Sequence, residues 1–168
     1  MAVVSSATAG LRAASRATIL QLRAPELSTS ALEHEANELV NATELPVLIS
    51  SRCDVALASG AAGVNLPEGD IGAADARTLL GRRLVGRSVH SITSAQQAER
   101  EGADFVIFGP VWESPSHPGS PAAGIAALEL VARSVRIPVL AIGGVTEERI
   151  AECHEAGAAG YAAIGLFR

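Results

Sequence analysis

Lysine is absent from the 168-residue chain: all 13 cationic side chains are arginine. A lysine Schiff base, or a lysine ammonium set against a phosphate, is therefore excluded. Aromatic side chains make up only 3% of residues, too few for the stacking platforms that single-stranded nucleic acids use. There is no basic run, and a net charge of −5 disfavours both nucleic acid and an anionic membrane surface. No stretch approaches the ~20 continuous apolar residues of a membrane-spanning helix. The N-terminus lacks the charged start, apolar core and cleavage site of a secretion signal. Cys53 and Cys153 stand far apart without metal-like spacing, so both are expected to be buried, reduced and structural. These absences lead to an expectation of a cytoplasmic protein with no nucleic-acid and no membrane partner.

The composition that remains is globular: 48% hydrophobic side chains over a length suited to a single domain spanning 1–168. Its most informative regularity is a recurring junction. Gly60-Ala61-Ala62-Gly63-Val64, Gly102-Ala103-Asp104-Phe105-Val106 and Gly157-Ala158-Ala159-Gly160-Tyr161 each follow a helical pattern and lead into a short apolar run. Glycine just past a helix end supplies the left-handed cap that other residues resist. A second echo pairs Leu45-Pro46-Val47-Leu48-Ile49 with Ile137-Pro138-Val139-Leu140-Ala141, where proline marks the strand entrance. Alternating helix, cap and buried strand specifies βα units around a parallel sheet.

The apolar runs predict strands at 2–5, 18–22, 47–50, 63–66, 84–89, 105–108, 139–142 and 160–164. Helices are predicted at 29–41, 52–58, 73–80, 94–101, 125–135 and 147–155, with Ser28, Thr93 and Thr146 as capping residues. Only a short helix fits near 9–14. This pattern predicts a (β/α)₈ TIM barrel; no G-x-G-x-x-G turn supports an open dinucleotide-binding sheet. The barrel is expected to be shortened at its first unit and to lack the final helix, since the usual size is ~250 residues. The outer face of strand eight would then be bare unless a second copy covered it or the chain is a shortened gene product, which predicts either a homo-oligomer or low solubility.

In such a barrel the site lies at the strand C-terminal ends. Those ends offer Gln21 and Arg23, Ser50 and Ser51, Asn65, Glu68 and Asp70, Arg87, Ser88 and His90, then Gly143-Gly144 and Ile164-Gly165. The longest loop follows strand six and carries Glu113, Ser114, Ser116 and His117. Gly143-Gly144 before Thr146 suits a phosphate, because bare backbone approaches an anion closely and helix-start amides point toward it; a plain tight turn is the alternative. His90, His117 and Glu113 are candidate proton carriers, whereas His34 and His154 fall on solvated helix faces. Arg23 at a strand end calls for a substrate anion or a carboxylate partner, Glu26 or Glu68. Asp70 and Glu68 are candidate Mg²⁺ ligands through water.

The segments Leu20-Gln21-Leu22-Arg23, Gly63-Val64-Asn65-Leu66-Pro67, Gly86-Arg87-Ser88-Val89-His90-Ser91, Phe108-Gly109-Pro110-Val111-Trp112 and Ile137-Pro138-Val139-Leu140-Ala141-Ile142-Gly143-Gly144, in this order, resemble the thiamine phosphate synthase/TenI family over nearly the whole chain. The resemblance implies the (β/α)₈ fold and a place in thiamine metabolism. Synthases of that family join a hydroxymethylpyrimidine diphosphate to a thiazole phosphate with Mg²⁺, releasing pyrophosphate; the TenI branch includes thiazole tautomerases, which aromatise a thiazole carboxylate phosphate by moving a proton. By position, the resemblance puts Gln21 and Arg23 on the pyrimidine-diphosphate side. It puts Ser114, Ser116 and Gly144, with backbone at Ile164 and Gly165, on the thiazole phosphate.

The departures are as informative. Pro25 stands where synthases carry a lysine, Ser50-Ser51 where they carry Asn-Asp, and His117 where their sixth loop carries another lysine. Of the metal carboxylates only Asp70 remains, so Mg²⁺ is expected only if synthase activity is retained. The histidine that some tautomerases carry after strand six is Pro110. The sequence therefore leads to a TenI-like thiazole tautomerase, with a divergent thiamine phosphate synthase or a non-catalytic thiazole-phosphate binder as the alternatives.

Overall fold

Short strands and glycine-ended helices alternate as the junctions predict. The computed structural model describes residues 1–113 and 121–167. Eight strands run in sequential order: β1 (Ala2–Val4), β2 (Leu20–Leu22), β3 (Val47–Ser50), β4 (Gly63–Leu66), β5 (Leu84–Val89), β6 (Phe105–Phe108), β7 (Val139–Ile142) and β8 (Gly160–Ala162). Every neighbouring pair is parallel. The ring closes through one bridge, Ala2↔Ala163, where the Val3 amide donates to the Ala163 carbonyl at 2.9 Å and the Ala163 amide to the Met1 carbonyl at 3.2 Å. Among the described residues seven α-helices lie between the strands: α1 (Ala7–Ala13), α2 (Thr29–Ala42), α3 (Cys53–Ala58), α4 (Ala73–Leu80), α5 (Ile92–Arg100), α6 (Ile125–Ser134) and α7 (Ile150–Glu155). This is the (β/α)₈ barrel expected from the pattern, with a seven-residue first helix.

Successive strand side chains point to opposite faces, so each strand feeds two cores. Val3, Leu48, Phe105, Ile107 and Ala162 pack inside the ring with Leu140 and Ile142. Leu20, Leu22, Val47, Ile49, Val64, Leu66 and Phe108 face outward onto Leu32, Leu39, Leu128 and Val131 of the helices. Phe105 fills the middle of the ring only because Gly86 stands opposite: a Cβ there would lie 2.2 Å from the Phe105 ring.

Carboxylates stitch one βα unit to the next. Glu35 of α2 accepts from the Ala7 amide that opens α1, at 2.6 Å. Glu101 accepts from the Ala73 amide that opens α4, at 3.0 Å, and Glu99 from the Arg136 amide ahead of β7, at 2.7 Å. Each satisfies a backbone donor that would otherwise be orphaned.

Several boundaries differ from the sequence reading. Helix α5 starts two residues early because Ser91, not Thr93, caps it, and Ser94 returns the bond in a capping box. The 147–155 segment divides into a 3₁₀ turn, Glu147–Arg149, and α7. Strand β8 ends at Ala162, after which a 3₁₀ turn, Gly165–Phe167, folds back. Phe167 is thereby 8% exposed and stacks on Tyr161 with ring centroids 6.3 Å apart. The outer face of β8 is thus partly covered by the chain itself, contrary to the bare face expected.

Candidate active site

The inward-facing residues turn polar at the strand C-terminal ends. Gln21 lies between outward-facing Leu20 and Leu22, and Asn65 between outward-facing Val64 and Leu66, so both point into the ring. Each is 3% exposed. The Asn65 amide Nδ2 donates to Ser88 Oγ at 3.1 Å, while its Oδ1 and the Gln21 Oε1 receive no hydrogen bond from a described residue. Two buried acceptors without donors are costly unless something with N–H or O–H groups meets them.

The Gly143-Gly144 turn follows β7 with φ of +91° and +66°, conformations that side chains resist. It also lies against the start of the sixth loop. A Cβ on Gly143 would stand 2.6 Å from Pro110 Cβ, and one on Gly144 2.6 Å from Trp112 Cβ and 2.7 Å from the Glu113 carbonyl oxygen. The Val111 amide donates to the Ile142 carbonyl at 2.8 Å and the Trp112 amide to the Gly143 carbonyl at 3.0 Å, extending the ladder past both strand ends. The amides of Gly143, Gly144 and Val145 donate to no described residue. Both sequence readings of the glycines are therefore compatible with one geometry: close backbone approach, and amides left open.

His90 follows β5. Its Nδ1 donates to the Gly109 carbonyl, and its Nε2 stands 3.8 Å from Glu68 Oε2. With Nδ1 as donor, a neutral ring leaves Nε2 as the acceptor. Glu68 belongs to the turn after β4, where Arg87 donates to the carbonyls of Glu68 at 2.7 Å and Asp70 at 3.3 Å. Asp70 spends Oδ1 on the Ile71 amide at 2.8 Å. Among the described residues no three His, Cys, Asp or Glu side chains gather as a metal site. Ser51 holds φ at +66° while the Arg52 amide donates to the Ser50 carbonyl at 2.8 Å, a tight turn at the end of β3.

Arg23 is exposed, with its backbone amide on the Val4 carbonyl at 2.8 Å, and its side chain joins no ion pair with a described residue. Of the two alternatives for Arg23, the carboxylate partner at Glu26 or Glu68 is not formed, and exposure removes the burial cost that called for one. Arg23 instead lines a cleft of about 500 Å³ with Val3, Ser5, Arg12, Glu26 and Ile164. Gly165 opens the 3₁₀ turn beyond β8. Glu113 is exposed, while Ser114, Ser116 and His117 lie outside the described residues. His34 and His154 are exposed on α2 and α7, as expected. Both cysteines are buried and unpaired, and burial pushes both thiols up, Cys53 further so by Asp70 and Asp54.

One residue escaped the sequence reading. Arg149 donates from Nη1 to the Gly144 carbonyl at 2.7 Å, with its guanidinium 4.9 Å from the centre of the Trp112 ring. Its signal was electrostatic: a cation at the start of α7 opposes the helix dipole and needs another partner.

A closed ring of eight parallel strands with its polar groups at the C-terminal ends defines a (β/α)₈-barrel protein with a ligand-sized mouth. The chain belongs to the thiamine monophosphate synthase family, whose model matches residues 2–167. It is 38% identical over 152 residues to the thiamine-phosphate synthase of Chloroflexus aurantiacus, covering 88% of this chain and 70% of that protein. The Clostridium acetobutylicum thiamine-phosphate synthase is 36% identical over 151 residues, 88% of this chain and 72% of that one. The solved thiamine phosphate pyrophosphorylase of Pyrococcus furiosus superposes with a TM-score of 0.88 at 28% identity, covering 98% of this chain and 84% of its own. No helix among the described residues is long and apolar enough to cross a membrane.

Proposed function

We propose that the protein binds a thiazole phosphate at the Gly143-Gly144 turn and joins it to a hydroxymethylpyrimidine diphosphate, the thiamine phosphate synthase reaction. The observation that carries the phosphate seat is the run of open amides at Gly143, Gly144 and Val145, since consecutive amides around positive-φ residues form anion-binding nests. The names borne by the family and its relatives support the synthase reaction over the tautomerase that the sequence alone favoured. In that reaction the bond from the pyrimidine methylene to the diphosphate oxygen breaks and the electron pair leaves with pyrophosphate. The thiazole nitrogen supplies the pair for the new carbon–nitrogen bond. Arg23 meets the leaving charge, and the Gln21 and Asn65 oxygens accept from pyrimidine N–H groups.

Among the described residues no resident Mg²⁺ site is formed. Asp70 is a single carboxylate with one oxygen already engaged, and no described cluster of three donors surrounds it. An ion that arrived with the diphosphate would need few protein ligands.

A tautomerase is the second reading, favoured by His90, whose ring is held by Gly109 with Nε2 left to take a proton. The test is direct. Pyrophosphate release from the two synthase substrates, with and without Mg²⁺, supports the first reading. Aromatisation of the thiazole tautomer that disappears in His90→Ala supports the second. Thiazole-phosphate binding without either reaction overturns both in favour of a non-catalytic binder.

A further inference from the structure

We infer that Arg149 is a positioning residue for the anion seat: it fixes the Gly144–Val145 peptide, and so the aim of the seat's amides, while resting on Trp112. The inference rests on the phosphate reading of the Gly143-Gly144 turn. In a trans peptide the carbonyl and the following N–H point to opposite sides. With the Gly144 carbonyl held by Arg149 Nη1 at 2.7 Å, the Val145 N–H is turned the other way and donates to no described residue.

A glycine pair at positive φ is the softest backbone in the site, so it needs an external hold. The hold has two ends. The Trp112 amide bonds the Gly143 carbonyl at 3.0 Å, and the Trp112 ring forms the platform on which the Arg149 guanidinium lies at 4.9 Å. Of the two carboxylates before Arg149, Glu147 is paired with Arg16 at 3.1 Å, and Glu148 is held first by the Thr146 side chain while also feeling the Arg149 charge. A planar guanidinium both stacks and donates in its plane, which a lysine ammonium does not reproduce.

The experiment compares wild type, Arg149→Lys and Arg149→Met as full chains, with inorganic phosphate and thiazole phosphate titrated by calorimetry. Trp112, the chain's single tryptophan, reports the platform through its emission and its quenching by acrylamide. Arg149→Met is expected to weaken phosphate binding about tenfold, as when donors are misaimed rather than removed. Trp112 should become more quenchable, the melting midpoint should move by no more than about 3 °C, and Arg149→Lys should recover part of the affinity. With substrates, KM for the thiazole phosphate should rise more than kcat falls. Unchanged affinity in Arg149→Met overturns the inference. So does an affinity loss matched by a general loss of melting in both variants, which marks a merely structural residue. A wild type that binds neither phosphate overturns the seat itself, and that failure is seen before any variant is made.

Discussion

Replacing Gly144 by alanine separates two costs that the backbone geometry places on one residue. Gly144 and Gly60 share nearly the same positive φ, +66° and +71°. A Cβ on Gly60 meets nothing within 4 Å, whereas on Gly144 it meets Trp112 Cβ at 2.6 Å and the Glu113 oxygen at 2.7 Å. Gly60→Ala therefore measures the left-handed conformation alone. After the entropy that alanine removes from the unfolded chain, that cost is about 1 kcal/mol. Gly144→Ala adds the overpacking of a site bounded partly by backbone, which brings its loss to about 2–4 kcal/mol. For a chain of this length these correspond to midpoint shifts of about 3 °C and about 4–16 °C. Urea unfolding followed by Trp112 emission and by circular dichroism reads both variants, with the same slope expected for each. Phosphate binding should be lost in Gly144→Ala and kept in Gly60→Ala. Equal destabilisation by the two substitutions would refute the close approach of the sixth loop to the glycine turn, and with it the geometry of the seat.

Other outcomes follow from the same structure. Gln21→Leu removes a buried oxygen that has no described donor, so melting should be unchanged or raised by up to ~1 kcal/mol in stability, while affinity for the pyrimidine diphosphate falls. Glu101 is held below its ordinary 4.5 by the Gln97 side chain first and the Ala73 amide after it. Its contribution is therefore complete above pH 4.5 and lost as pH falls through the lowered folded value; Glu101→Gln should flatten the acid limb of a stability–pH curve. Cys53 and Cys153 are 7% and 0% exposed with thiols pushed up by burial, so a thiol reagent should label them only on unfolding. Rapid labelling of the native chain would contradict their packing.

The parts of the fold that were legible in the sequence are those written locally. Val47–Ser50, Gly63–Leu66 and Phe105–Phe108 emerge at the expected residues because glycine caps or proline bracket each run. The start of α5 was misread because three hydroxyl residues, Ser91, Thr93 and Ser94, compete within four positions, and only the box geometry chooses between them. The site divides the same way. Gln21, Asn65 and the glycine pair were visible from strand ends and turn chemistry. The hold of His90 on Gly109, and of Arg149 on Gly144 and Trp112, depends on which loops the ring brings together. Those contacts are long-range or involve backbone carbonyls, so no spacing rule encodes them. Arg23 is legible as a strand-end cation, but its exposure is not: the side chain leaves the ring into an open cleft, which no local pattern encodes.

The seam between β1 and β8 has a kinetic consequence. It is held by one bridge and by the Met1 amino group on the Tyr161 carbonyl at 2.8 Å, a contact spanning 160 positions. The other strand pairs each span one βα unit, so their loops close early, while this one pays the largest closure entropy. The seam is therefore expected to join last and open first, so hydrogen exchange should reach amides near Val3 and Ala163 before those of β4 to β6. The cleft lined by Val3, Arg23 and Ile164 lies across that join. Any ligand seated there bridges the ends of the ring, and its binding energy becomes closure energy for the whole barrel.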